Sequence, residues 1–272
     1  MIVDALQAEL YKLTRNRGSA FWAFGFMPLF ALGSGLIEQG FVHFYIGDII
    51  SYASPLQDSL SGLASFSVSI FQICGIAGAA IIFAGEYRWE TWRASLTRVD
   101  RIPAMAAKMI AFALAISASL VLCSLARMVV GLIDAGLTGS ATWPPVGIGE
   151  ILLAHLVAFA ASFLQIMVTA AFVMLVAVIS RAMTAAIVAT VLTLVACEIA
   201  SIRGNAGGDP IYLLFPNIAG DAIRQAGQMI MLQREGLLAG FAPMAAPVLV
   251  IEFLLLSGAA TALFVRQDLS KE

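Results

Sequence analysis

Residues 109–133 read MIAFALAISASLVLCSLARMVVGLI, a run from Met109 to Ile133 with one charge, Arg127. At about 1.5 Å of rise per residue such a helix covers the roughly 30 Å of hydrocarbon in a bilayer. Comparable stretches lie at about 19–37, 63–85, 151–179, 183–202 and 245–265. The expected fold is therefore all-α: a polytopic membrane protein with six transmembrane helices in a single domain spanning residues 1–272. The fourth stretch is long enough to tilt or to project beyond the bilayer, and a sharp break is expected near Arg181.

Composition supports this reading. Of 272 residues, 61% are hydrophobic and only 12% charged, against about 25% charged in a soluble domain. A soluble enzyme or DNA-binding module is excluded, and a net charge of −2 gives no basic signal for nucleic acid. Cys74, Cys123 and Cys197 sit far apart in apolar stretches, which fits buried thiols rather than a disulfide or metal framework.

Lysine and arginine set the orientation. With six spans and the N-terminus inside, eleven of the fifteen bases are cytoplasmic; only Arg203, Arg224 and Arg234 lie outside, all in one loop. The positive-inside rule places both termini in the cytoplasm of a cell whose inner membrane the chain crosses. Ala31-Leu32-Gly33 is a weak cleavage site, so the first span is expected to remain uncleaved.

Two cytoplasmic segments stand out. Within residues 1–18, Ile2, Leu6, Leu10 and Leu13 recur at helical spacing, with Asp4, Glu9 and Lys12 elsewhere around the wheel; this predicts an amphipathic interfacial helix. Residues 86–103 begin Glu86-Tyr87-Arg88-Trp89-Glu90-Thr91-Trp92-Arg93-Ala94-Ser95-Leu96-Thr97-Arg98 and lead through Arg101 and Pro103 to Lys108. Trp89, Trp92 and Leu96 align on one side of a short helix. The plainer reading is a headgroup anchor. The sharper is a docking helix for a soluble partner, because acids are interleaved with the bases.

These two segments resemble the type-2 ATP-binding-cassette (ABC) permeases. In that family the connection between the second and third spans runs from Glu through Gly-Thr to Leu, followed by Arg and Lys; Glu86, Thr91, Leu96, Arg101 and Lys108 fit, while Glu90 stands where Gly is frequent. The resemblance implies the membrane half of an exporter, dimeric with a second permease copy or a homologous permease and embedded in membrane lipid. Separate ATP-binding cassette subunits would bind ATP and Mg. It also implies a coupling surface made by Glu86, Arg88, Trp89, Glu90, Thr91, Trp92, Arg93, Leu96, Arg98 and Arg101, with the N-terminal helix as its neighbouring connecting helix.

The residues themselves agree with that division of labour. Lys12, Lys108 and Lys271 are the only lysines, and none follows the glycines of a Walker A loop. No catalytic site and no cofactor are expected in this chain. His43 and His155 make no zinc motif, and Gly33-Ser34-Gly35 lacks the frame of a nucleophile elbow.

Arg127, Glu198 and Glu252 are the clearest ionisable residues inside expected spans. Each costs about 2.5–3.5 kcal/mol at mid-helix on insertion scales, so each should find a partner or water. Threading the spans puts all three in the outer half of the bilayer, which makes Glu198 or Glu252 a candidate partner for Arg127; a lining for the exit path is the functional alternative. Residues 203–243 read as an extracytoplasmic interfacial or re-entrant loop, turn-rich from Arg203 to Pro210.

The expected function is export of a hydrophobic or amphiphilic substrate such as a peptide, antibiotic or lipid-like molecule, powered by the partner ATPase. The alternative is an ion-coupled secondary transporter.

Overall fold

The structure, a computed structural model, describes residues 2–41, 44, 54–88, 100–139, 141–207, 210–232 and 239–267. Helices dominate and no strand occurs among the described residues. Helix α1 spans Ile2–Arg15. Helix α2, Arg17–Phe41, contains a π-helical turn at Phe21–Gly25. A widened π turn disturbs the regular carbonyl pairing, and here Ser119 donates to the Phe24 carbonyl at 2.9 Å.

Helix α3, Pro55–Leu63, runs into a 3-10 turn at Ala64–Ser67. Then follow α4, Ser69–Arg88; α5, Arg101–Thr138; α6, Ile148–Ser180; and α7, Met183–Gly207. A 3-10 turn at Pro210–Leu214 leads to α8, Pro216–Leu232, and the chain closes with α9, Ala242–Arg266.

Among the described residues, five helices are long and apolar enough to cross a membrane: α2, residues Ser69–Tyr87 of α4, α5, α6 and α9. The described apolar part of α7, Met183–Ile199, is shorter. The chain is thus an all-α membrane protein. At about 1.5 Å per residue the 38 residues of α5 and the 33 of α6 extend well past a 30 Å hydrocarbon layer.

Helix α6 is the central post, packing on α3, α4, α5, α7, α8 and α9. Small side chains permit the close approach. Ala154, Ala158 and Ala161 are buried, and a Cβ on Gly227 of α8 would stand 3.1 Å from the Ala154 carbonyl. One core joins α2, α4, α5 and α6; a second joins α6, α8 and α9. In the first, Phe112 meets the rings of Phe24 and Phe83 with centroids 5.9 and 6.3 Å away, a spacing at which aromatic pairs attract.

The break at Arg181 is present. Arg181 adopts a left-handed conformation, φ 53°, and its N–H closes the last turn of α6 on the Ala177 carbonyl at 2.9 Å. Only Arg181 and Ala182 then separate α6 from α7.

Three expected boundaries require correction. The stretch 63–85 is not one helix. Val68 is extended, at φ −87° and ψ 128°, and ends the 3-10 turn. Gln72 supports the break by donating Nε2 to the Phe66 carbonyl at 2.9 Å. Nor is the connection 38–62 a simple outer loop, because its second half forms α3, which lies antiparallel against α5. A Cβ on Gly62 would fall 2.6 Å from the Cys123 carbonyl, and Gly131 of α5 faces Asp58 and Pro55. The expected turn-rich start at Arg203 is likewise helical through Gly207, as the end of α7.

Candidate functional site

At the end of the molecule that carries α1, four charges interlock. Lys12 Nζ lies 2.7 Å from Glu9 Oε1 and 2.6 Å from Glu86 Oε1. Lys108 Nζ lies 3.2 Å from Glu9 Oε2 and 3.4 Å from Glu86 Oε2, and also donates to the Ile82 carbonyl at 2.9 Å. The two acids and two bases sum to zero. Lys108 is only 2% exposed and Glu86 7%, so each charge depends on the others to offset its lost hydration.

Burial disfavours the charged Lys12 amine, but the carboxylates of Glu86 and Glu9 outweigh that effect and hold it above the ordinary lysine value. The geometry joins three elements: α1, the last turn of α4 and the second turn of α5. A cleft of about 910 Å³ runs beside the cluster, with Asn16, Ile81 and Met183 on its walls.

A second tie closes the same end. Arg101 Nη1 reaches the carbonyls of Phe264, Val265 and Gln267 at 3.2, 2.7 and 2.6 Å. These carbonyls lie at the C-terminus of α9, where a cation is favoured by the helix dipole. Tyr87 Oη donates to Gln267 Oε1 at 3.1 Å, and Gln267 Nε2 donates to the Val178 carbonyl. Residues flanking the 89–99 connection on both sides are therefore fixed to the C-terminal ends of α6 and α9.

Of the coupling residues expected from sequence, Glu86 and Arg101 are placed in these two ties. Trp89, Glu90, Thr91, Trp92, Arg93, Leu96 and Arg98, and the side chain of Arg88, lie outside the described residues.

At the opposite end the three intramembrane charges go to separate places. Arg127 does not take Glu198 or Glu252 as its ion-pair partner; it lies 3.1 Å from Glu38 Oε2 of α2 and 3.9 Å from Asp58 Oδ1 of α3. Gly35 and Gly131 make the room, since a Cβ at either would collide with Arg127 or Asp58. The expectation failed because it considered only charges inside predicted spans, and Glu38 and Asp58 had been assigned to a loop. Burial pushes the Asp58 carboxyl up against the opposing pull of Arg127, with Asp134 and Glu38 adding to the rise.

Glu198 accepts a hydrogen bond from Asn217 Nδ2 at 3.2 Å. This begins a polar seam between α7, α8 and α6. Asn217 Oδ1 accepts from Gln165 Nε2 at 2.8 Å, and Gln165 Oε1 accepts from Arg224 Nη1 at 2.7 Å. Arg224 Nη2 meets Asp221 at 2.6 Å, and Ser67 donates to the same Asp221 oxygen at 3.0 Å. Arg224 is 3% exposed. In the sequence it looked like a charge on an outer loop, yet it is among the most buried charges in the molecule. Its i, i+3 spacing from Asp221 was the available signal.

His155 Nδ1 donates to the Ile151 carbonyl at 2.8 Å, and its Nε2 lies 2.6 Å from the Ser59 hydroxyl. With a backbone carbonyl in place of an orienting carboxylate, this pair links α3 to α6 without the geometry of a catalytic triad. Glu252 faces a crevice between α6, α7 and α9. No protein-family model, curated protein or solved structure matches the chain.

Proposed function

We propose that the chain is the membrane-spanning permease subunit of an ABC exporter. In this reading it crosses the inner membrane six times, with α7 as the sixth span and both termini in the cytoplasm. It pairs with a second permease and with two ATP-binding subunits that carry ATP and Mg, and the segment around residues 86–103 receives their motion. The cargo is hydrophobic or amphiphilic.

The observation that carries the proposal is the Glu9–Lys12–Glu86–Lys108 cluster, which binds the amphipathic N-terminal helix to both flanks of the 89–99 connection. A force applied to that connection would move α1, α4 and α5 together. Through Arg101 and Gln267 it would also reach α9 and α6. Rigid helices tied at one end are the elements by which closure of soluble subunits becomes a change in membrane packing.

Co-expression with the products of the neighbouring genes, among which the reading expects an ATP-binding subunit, tests it. The expected result is co-purification, weakened by Arg98→Glu, and ATPase activity that depends on the partner. Transport driven by an ion gradient in the absence of ATP would overturn it in favour of a secondary transporter.

A further inference from the structure

A crevice of about 380 Å³ opens between α6, α7 and α9 and is closed at one end by the turn leading into α8. Phe172, Leu194, Phe215 and Leu256 supply most of its apolar wall. Its one carboxyl among the described residues is Glu252, whose Oε2 is buried and has no hydrogen-bond partner there; the Cys197 thiol also lines the crevice. A bare carboxylate against an apolar wall without a counter-charge costs several kcal/mol, so Glu252 takes either a proton or a cationic partner.

The remaining polar groups define what such a partner must offer. Thr169, Thr190 and Thr193 line the crevice, and each has already given its hydroxyl proton to a backbone carbonyl four residues earlier, at 3.1, 2.7 and 2.9 Å. Their oxygens can only accept. Asn217 keeps one amide N–H, since its carbonyl accepts from Gln165 and its other N–H donates to Glu198. Carboxylate and hydroxyl lone pairs therefore outnumber the side-chain donors that face the space, one Asn217 N–H and the weak Cys197 S–H. An anion would be repelled, and a neutral hydrocarbon would leave the acceptors bare.

We infer that this crevice binds a protonated amine carried on an apolar body, its N–H directed at Glu252 and its hydrocarbon against the phenylalanine and leucine wall. The ammonium supplies the charge that the lining lacks and a donor for its surplus lone pairs. The assignment goes beyond the exporter reading and stands on this chain alone. Its test uses no ATP-binding subunit, so failure of one leaves the other standing.

The experiment is equilibrium binding of imipramine, a tricyclic tertiary amine, to the full chain in phosphatidylcholine nanodiscs, with empty nanodiscs subtracted. Uncharged iminodibenzyl is the control. Wild-type protein is expected to bind imipramine saturably. Glu252→Gln should weaken that binding about tenfold or more while leaving iminodibenzyl uptake unchanged. Thr193→Trp, at an exposed position on the mouth, should block imipramine without disturbing the core, which keeps the test decisive if Glu252→Gln does not fold. Absence of saturable binding to wild-type protein would overturn the proposal. So would wild-type affinity in either correctly folded variant.

Discussion

Lys12 Nζ stands 2.6 Å from Glu86 Oε1, a contact between residues 74 apart in the chain. Without it and the Lys108–Glu9 pair, α1 would be an interfacial helix with only its apolar stripe to hold it. With it, and with Lys108 reaching Glu9 and Glu86 from beneath, α1 becomes part of the helical bundle. An amphipathic helix that is ion-paired to the end of α4 reports on the position of that end.

Removing one member of the cluster should be worse than removing an opposed pair. Glu86→Leu leaves Lys108, 2% exposed, with a diminished counter-charge and is expected to cost about 3 kcal/mol. The double substitution Glu86→Leu, Lys108→Met should recover most of that loss, because no buried charge is stranded. Thermal unfolding in detergent for the single and double variants gives the coupling.

The raised Lys12 amine makes α1 docking sensitive to alkali. Since its value in the folded protein lies above the ordinary 10.5, its stabilising contribution is complete below 10.5 and is lost as pH rises through the folded value. An environment-sensitive dye at Val3→Cys, in a background without the native cysteines, should report release of α1 on that limb. Lys12→Met should remove the transition and leave α1 partly released at all pH values.

What was legible in the sequence follows from where its signals are strong. Apolar runs identified α2, α5, α6 and α9 to within a few residues, or as the core of a longer helix, because lipid demands a helix wherever polarity is absent. The break at Arg181 was legible as well. Glu86, Arg101 and Lys108 were singled out by resemblance, but the partners Glu9 and Lys12 were not, since nothing local in a helical wheel reveals a contact with a residue 74 positions away. Helix α3 was missed because Gln57, Asp58, Ser59 and Ser61 give it the composition of a loop. Those hydroxyls are accommodated by back-bonding, as Ser59 to Leu56 at 2.9 Å and Ser61 to Asp58 at 2.7 Å show. Arg224 was misplaced for the same reason. A buried charge looks exposed until its partners Gln165 and Asp221 are seen.

The approach of α3 to α5 depends on a missing side chain at Gly62. A Cβ there would sit 2.6 Å from the Cys123 carbonyl and 2.8 Å from Ser124 Cα, and backbone cannot step aside. Gly62→Ala is expected to lose about 2 kcal/mol through forced separation of the two helices. Gly136→Ala, in α5 with nothing within 4 Å, should instead be neutral or gain up to about 1 kcal/mol of helix propensity. Parallel melting of the two variants separates packing from propensity.

Arg224 should resist replacement by lysine. Its fork reaches Gln165 and Asp221 through different nitrogens, at 2.7 and 2.6 Å, and a single ammonium on a flexible stem cannot match both directions. Arg224→Lys is expected to cost about 2 kcal/mol by leaving a buried acceptor short. In the Gln165→Leu background, where that acceptor is gone, the same substitution should cost clearly less. Unfolding of the two pairs of variants measures the difference.

Charge reversal separates the observed partner of Arg127 from those suggested by span position alone. Arg127→Glu places a third acid against Glu38 and Asp58 and should lower the yield of folded protein. Glu38→Arg in the same chain should restore it, because Glu38 is 63% exposed and its longer replacement can swing to meet the new acid at little desolvation cost. Glu198→Arg should not, since Glu198 is committed to Asn217 at the head of the Gln165–Arg224 seam and a second arginine there would add repulsion to a buried network. Size-exclusion profiles of the three reversed chains decide between them: rescue by Glu198→Arg with none by Glu38→Arg would place the outer ion pair on α7 instead of α2.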